Sequence, residues 1–320
     1  MTESQRVALV TGSARRIGAG IARHLHAHGY RIALHAHQSS EELQSLAFDL
    51  ESERAGSVLA LEADLRDVAA LPDLVEQAVS HFGRLDALVN NASNFFPTPF
   101  GQVQPEQWDE LFAVNTRAPF FLAQAAAPHL IKQRGAIVNL TDLHATQPLR
   151  EHPAYSSAKA ALEMVTRSLA LELAPHVRVN AIAPGAILWP EQGKSEAAKQ
   201  KLMERTPLDR LGTPHEIASA VRWLLDDAIM IELCVRDLKH EIDSYDDFCD
   251  YRESEARLLG MNPADVGSAA WLESRREELI NRMHSRRERD FGTGYGASSG
   301  YASKRNYAMA SWRPGIFRAR

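Results

Sequence analysis

Only two cysteines, Cys234 and Cys249, occur in 320 residues, so the chain cannot carry a disulfide framework. Long apolar runs are missing too: nothing approaches the roughly 20 residues that a bilayer crossing needs, and the N-terminal MTESQRV lacks the apolar core of a secretory signal. An excess of positive charge is also lacking. The 36 Lys and Arg against 41 Asp and Glu leave a formal net charge of −5, which gives no electrostatic case for binding nucleic acid. These absences lead to the expectation of a reducing, cytoplasmic compartment, with no membrane and no nucleic-acid partner. What is present, 45% apolar and 24% charged residues, suffices for one large soluble domain, with room for an appendage.

The first two thirds alternate short β-branched runs with helical patterns of about a dozen residues, the signature of βαβ units and a parallel sheet. Strands are expected at Val7 to Val10, Arg31 to His35, Val58 to Glu62, Ala87 to Asn90, Ala136 to Leu140 and Arg178 to Ile182. Helical patterns include Ile17 to His28, Leu71 to Phe82 and Tyr155 to Leu173. Right-handed crossovers then give an α/β, doubly wound sheet whose ligand crevice lies beyond the carboxyl ends of the strands.

The first strand runs into TGSARRIGAG, Thr11 to Gly20. Gly12 and Gly18 allow backbone N–H groups to approach a pyrophosphate at the start of the following helix, where the dipole favours an anion. The second strand ends in LHAHQSS, without the Asp or Glu that grips a ribose 2′-hydroxyl, and Arg15 adds a cation there. That pairing favours a 2′-phosphate, hence NADPH over NADH. Further along, Tyr155 and Lys159 stand four apart on a helical pattern, so they share a face. A neighbouring ammonium stabilises phenolate and would lower the tyrosine pKa towards the operating pH, which makes Tyr155 a candidate proton donor. The pair His24 and His28 could hold a metal by spacing, but no carboxylate or cysteine accompanies them in that segment, and no metal site is assigned.

Several stretches in one order, TGSARRIG, NNASNFFPTP, TDLHATQPL, YSSAK and RVNAIAPGAI, resemble the short-chain dehydrogenase/reductase family and, within it, the pteridine reductase group, over about Arg6 to Ala228. Arg16 replaces the middle glycine of the family's usual loop, as in that group. The resemblance implies a Rossmann fold and reduction of dihydropterins to tetrahydropterins with NADPH, with Tyr155 as proton donor, Lys159 beside it and Asn115 supporting the proton relay. It places Gly12, Arg15, Arg16, Ile17, Gly18, His35, Asn91, Ala92, Ser93 and Lys159 on the cofactor, His37 and Ser39 in the 2′-phosphate pocket, Asp64 and Leu65 at the adenine, and Pro184, Gly185 and Ile187 at the carboxamide. Gln38 departs from the arginine usual in that pocket and weakens the NADPH preference without reversing it.

Asp142 is the departure from the wider family, which has serine thirteen residues before the tyrosine. A carboxyl group suits a nitrogen heterocycle, since it can bond ring N–H or amino groups and exchange a proton with them; the bland alternative is a turn cap. Phe95 would stack on the substrate ring by resemblance, with Ser93 and Arg16 on the polar edges, so that Arg16 bridges pyrophosphate and pterin.

The resemblance ends after EIASAVRWLLDDA, and the family's seventh strand and closing Val-Asp-Gly-Gly do not follow. The expected organisation is therefore a reductase domain at 1–228, an extra and mostly helical segment at 229–290 in place of the usual last strand, and a disordered basic tail at 291–320. IMIELCV, from Ile229, also fits a replacement strand. From Ser274 onward there are eleven Lys and Arg against four Asp and Glu. Loss of the family's ending predicts weaker or altered homo-oligomer assembly, and leaves a general carbonyl reductase, or a non-catalytic binding protein, as the alternative readings.

Overall fold

The computed structural model describes residues 5–189 and 210–226, with Gln200, Met203 and Thr206 between them. Its centre is a six-stranded, wholly parallel sheet of β1 (Val7–Val10), β2 (Arg31–Ala36), β3 (Val58–Glu62), β4 (Ala87–Asn90), β5 (Ala136–Leu140) and β6 (Arg178–Ile182), in the order β3-β2-β1-β4-β5-β6. The helices are α1 (Arg16–Ala27), α2 (Ser40–Glu53), α3 (Leu71–Phe82), α4 (Pro105–Phe112), α5 (Ala118–Gln133), α6 (Pro153–Leu173) and α7 (Pro214–Asp226). Strand order reverses between β1 and β4, where a doubly wound sheet opens its ligand crevice. The strands keep their expected bounds, except that β2 runs one residue further, to Ala36.

Burial on both faces explains the sequence pattern. VALV of β1 and AIVNL of β5 are buried throughout, so neither strand alternates polar with apolar residues. Ala8, Val10, Ile32, Leu34, Val89 and Val138 pack on one face against Ile21 and Leu25 of α1, Leu43, Leu46 and Leu50 of α2, and Ile217, Val221 and Leu225 of α7. Val7, Leu9, Leu88 and Ile137 face the other way, against Leu74, Val75, Ala78 and Phe82 of α3 and Leu122, Ala126 and Leu130 of α5.

The last described helix, α7, is fastened at the starts of β1 and β2 and to the edge strand β6. The Tyr30 hydroxyl donates to Asp226 at 2.5 Å, Arg6 pairs with the same carboxylate at 2.8 Å, and the Arg178 guanidinium donates to the carbonyls of Leu224 and Leu225. His24 of α1 packs on His28 and meets the edge of His215 on α7, with ring centres 4.4 and 5.1 Å apart. Burial, then His28, His215 and Arg222, push the His24 pKa down, which favours the neutral ring. Among the described residues β6 pairs with β5 alone. The segment expected to be helical at 229–290, its alternative strand from Ile229 and the tail expected to be disordered at 291–320 lie outside the described residues.

Asp86 gathers the start of three strands. Its carboxylate accepts the Val7 N–H at 2.8 Å and grips Arg84 at 2.8 and 2.5 Å, and its carbonyl accepts the Ala136 N–H at 3.0 Å. Asp86→Ala removes the ion pair with Arg84 and the acceptor of the Val7 N–H. It is expected to cost about 2–3 kcal/mol, read as a lower urea midpoint with an unchanged slope; an unchanged midpoint would show that water replaces the carboxylate.

Candidate active site

A cleft of about 630 Å³ opens at the carboxyl ends of β1, β2 and β4. Its floor is the loop from β1 to α1. Gly12 has φ +62° and lies so close to Ala92 that a Cβ would stand 2.8 Å from the Ala92 Cα; at Gly18 a Cβ would stand 2.1 Å from the Gly12 carbonyl oxygen. Glycine is required at both positions, by contact and at Gly12 also by φ. Asn91 locks the approach, its amide donating to the carbonyls of Thr11 and Gly12 at 2.9 Å each, while the Thr11 hydroxyl accepts the N–H groups of Asn91 and Ala92 at 3.0 and 3.1 Å.

The first turn of α1 holds no acidic side chain, so its positive end faces the cleft uncompensated. That narrow, backbone-lined cradle fits a dinucleotide pyrophosphate. Arg15 is the N-cap and lies 3.6 Å from Glu42 of α2. Arg16 takes the left-handed region at φ +53° and reaches to the carbonyl of Trp189 at 3.3 and 3.4 Å.

At the other end of the cleft stand His35, His37, Ser39, Asp64 and Leu65, together with Gln38 and Arg66. His35 has a different part from a solvent-facing contact. Its ring is buried, accepts the Gly12 N–H at 3.3 Å and donates to the Ala63 carbonyl at 3.1 Å; burial pulls its pKa to about 4, so it is a neutral strut under the glycine loop. Asp64 is clasped by Arg66 at 2.7 to 3.0 Å, and these bonds hold its pKa at about 2. Arg66 was missed in the sequence, where a cation two residues past Asp64 reads as ordinary surface.

At the substrate end, Tyr155 and Asp142 meet: the phenol donates to one carboxylate oxygen at 2.7 Å. The other oxygen accepts the His144 N–H at 2.8 Å and caps the short turn Leu143–Ala145. Asp142 is thus a turn cap through one oxygen and the Tyr155 partner through the other. Burial raises the Tyr155 pKa above its usual value; the Asp142 charge and its hydrogen bond add to this, and the nearby Ser93 opposes it.

The lowering expected from Lys159 does not prevail. Its ammonium is 2% exposed, donates to the Leu140 carbonyl at 2.8 Å and lies 5.9 Å from the centre of the Tyr155 ring. Burial draws the lysine's own pKa down to about 8, with Asp142 opposing the shift. Asn115, expected to support the relay, is held by the surrounding loop and helix. It sits in a π-turn, Ala113–Arg117, accepts the Ser93 hydroxyl at 2.6 Å and donates to the carbonyls of Asn94 and Leu111 at 2.9 Å each. These bonds make it a strut for the loop that carries Phe95.

Phe95 is 55% exposed, meets the Tyr155 ring edge-on at 4.8 Å and stacks on His152 at 4.6 Å, a residue the sequence reading passed over. Ser93, Arg16 and Phe95 line the same cleft. The Leu143 N–H donates to Pro184 at 3.2 Å and the Gly212 N–H to Ala186 at 2.9 Å, which sets the Pro184, Gly185 and Ile187 loop beside the Asp142 turn.

The family described as enoyl-(acyl carrier protein) reductase matches residues 12–231. Pteridine reductase 1 of Leishmania tarentolae is 37% identical over 258 aligned residues, covering 68% of this chain and 89% of that protein. The uncharacterized oxidoreductase YohF of Escherichia coli is 34% identical, over 69% and 89% of the two chains. The 3-oxoacyl-[acyl-carrier-protein] reductase FabG of Staphylococcus aureus is 33% identical, over 71% and 92%. With the match over residues 12–231 and these identities over two thirds of its length, the chain belongs to the short-chain dehydrogenase/reductase family of NAD(P)-dependent oxidoreductases.

Proposed function

We propose that this reductase converts dihydropterins to tetrahydropterins with NADPH. The observation that carries the reading is the bond between Asp142 and Tyr155, a carboxylate placed where it can meet ring N–H and amino groups, beside the half-exposed Phe95. The name of the relative from Leishmania tarentolae supports it. When bound, the nicotinamide supplies a hydride to the ring carbon of a C=N bond. The chain's own residues handle the rest. Phe95 offers a face to the flat heterocycle, worth roughly 1 kcal/mol beyond area burial. Asp142 accepts from the ring, and as that donor replaces Tyr155 on the carboxylate, the phenol turns to the ring nitrogen and gives it a proton. Its raised pKa keeps Tyr155 protonated until that moment. Arg15 holds the 2′-phosphate of the cofactor, with His37 and Ser39 around it.

A second reading, reduction of a plain ketone, draws on the relative named as a 3-oxoacyl reductase. The two are separated by NADPH oxidation with dihydrobiopterin, dihydrofolate and a simple ketone in parallel. Turnover of the pterin with little on the ketone is expected, and the reverse order would favour the second reading. Tyr155→Phe should cut turnover by roughly 10² or more with NADPH binding retained. Asp142→Ser should depress pterin turnover and spare the ketone, because serine donates to a carbonyl but cannot accept from a ring N–H as a carboxylate does; equal losses on both substrates would reduce Asp142 to its capping role.

For the cofactor, Arg15→Ala should weaken binding of NADPH far more than of NADH, both measured by titration of the reduced nicotinamide fluorescence. Parallel changes would remove Arg15 from the phosphate site.

Lys159 yields a stability test with a definite sign. Its pKa of about 8 in the folded chain lies below the free value of 10.5, so between those pH values the unfolded chain binds more protons and stability rises with pH. Below pH 8 the buried ammonium costs about 3 kcal/mol. The stability of Lys159→Met relative to the parent should therefore be more favourable at pH 7 than near pH 10.5. A difference independent of pH would mean that the ammonium is as well solvated as in the open chain.

A further inference from the structure

We propose that His152 is a positioning residue for the substrate ring, acting through Phe95; the proposal rests on the pterin reading above. His152 caps the start of α6, three residues before Tyr155. Its ring is fixed from behind, Nδ1 donating to the Arg150 carbonyl at 2.8 Å, while its own carbonyl accepts the Ser156 N–H at 3.0 Å. From that seat the imidazole lies on one face of Phe95, ring centres 4.6 Å apart and planes 12° from parallel.

The two loops that carry these rings are bound to one another as well. The Thr98 N–H donates to the Glu151 carbonyl at 2.6 Å, and the Thr98 hydroxyl accepts the Ala154 N–H at 3.4 Å. Glu151 takes φ +63° between them, a left-handed conformation that a residue with a side chain keeps only where its surroundings hold it. The turn before α6 is thus bent to bring His152 against the loop that bears Phe95.

This arrangement fixes the tilt of Phe95. One face is covered by His152, the Tyr155 ring stands at 86° to it with centres 4.8 Å apart, and the ring as a whole is still 55% exposed. Phe95 lines the cleft, and a flat ring laid on its face away from His152 would continue a parallel stack that begins at the imidazole. A phenylalanine in a loop, with half its surface in water, would otherwise sample several orientations, and ordering it on binding would be drawn from substrate affinity. His152 does that ordering in advance, in register with the helix that bears Tyr155 and Lys159. It touches no reacting atom, so its effect belongs in the affinity for a flat substrate and not in the chemical step.

The test uses the full chain. His152→Ala should raise KM for dihydrobiopterin roughly fivefold, the scale of one aromatic stack, with kcat within about twofold. The Kd of NADPH and the KM of a simple ketone should stay as they were. His152→Phe, which restores a flat partner for Phe95, should return the pterin KM to the parent value. His152→Leu, which keeps bulk without a flat ring, should behave as the alanine variant and serves in its place should the alanine variant fail to fold. Equilibrium binding of oxidised biopterin, followed by its own fluorescence in the presence of NADP⁺, should weaken in step with KM. An unchanged pterin KM in His152→Ala, an equal rise for the ketone, or no recovery in His152→Phe would overturn the proposal while leaving pterin reduction by the parent chain intact. A parent chain that neither reduces nor binds a pterin would overturn both this proposal and the function on which it rests.

Discussion

The close approach of α1 to the β1–β4 junction governs the rest of this molecule. Gly18 faces the carbonyl of Gly12 with no room for a methyl group, and Asn91 bridges both strands with two bonds to backbone carbonyls. Remove that contact and the helix end no longer points its free N–H groups into the crevice. The parallel sheet makes this possible, since the strand-order reversal at β1 and β4 is where two crossovers leave in opposite directions. Fold and binding site are one constraint at this point, so a substitution here would register in stability and in cofactor affinity together.

At the substrate end, burial works on two ionisable groups in opposite directions. It resists charge on both Tyr155 and Lys159, raising the phenol and lowering the ammonium. Burial therefore keeps the tyrosine a proton carrier and leaves the lysine readier to lose its charge near neutrality than an exposed one. The Asp142 carboxylate adds to the first effect and opposes the second. The half-buried Asp142 carboxylate thus bears on both neighbours, second to burial in each, which is one consequence of placing aspartate where the wider family has serine.

The parallel strands were legible because burial on both faces leaves runs such as VALV, wholly apolar, and AIVNL, apolar but for Asn139, and each is bounded by a glycine or a polar turn. The cradle was legible because only glycine satisfies Gly12 and Gly18. Long-range partnerships were not. His35 accepts from Gly12 across 23 residues, Ser93 bonds Asn115 across 22, and Phe95 meets His152 across a gap that the fold alone closes. Nothing in the spacing of these residues announces a meeting. The sequence did place Lys159 on the Tyr155 face of the helix, but it could not show that the ammonium is spent on the Leu140 carbonyl. A helical interval fixes direction and is silent on what the side chain finds there.

Several side chains of the site divide their bonds between architecture and chemistry. Asp142 caps a turn with one oxygen and holds the Tyr155 proton with the other. Asn115 spends its amide on two carbonyls and its oxygen on Ser93. Groups used in this way cannot swing freely, and the ordering that a reaction would otherwise demand at each turnover is supplied once, on folding. The same economy blurs alanine scanning, because truncation removes a cap and a reactant together. Substitutions that keep one function and delete the other are more informative here, as serine does at Asp142: its hydroxyl can still accept the His144 N–H, but it carries no charge to raise the Tyr155 pKa.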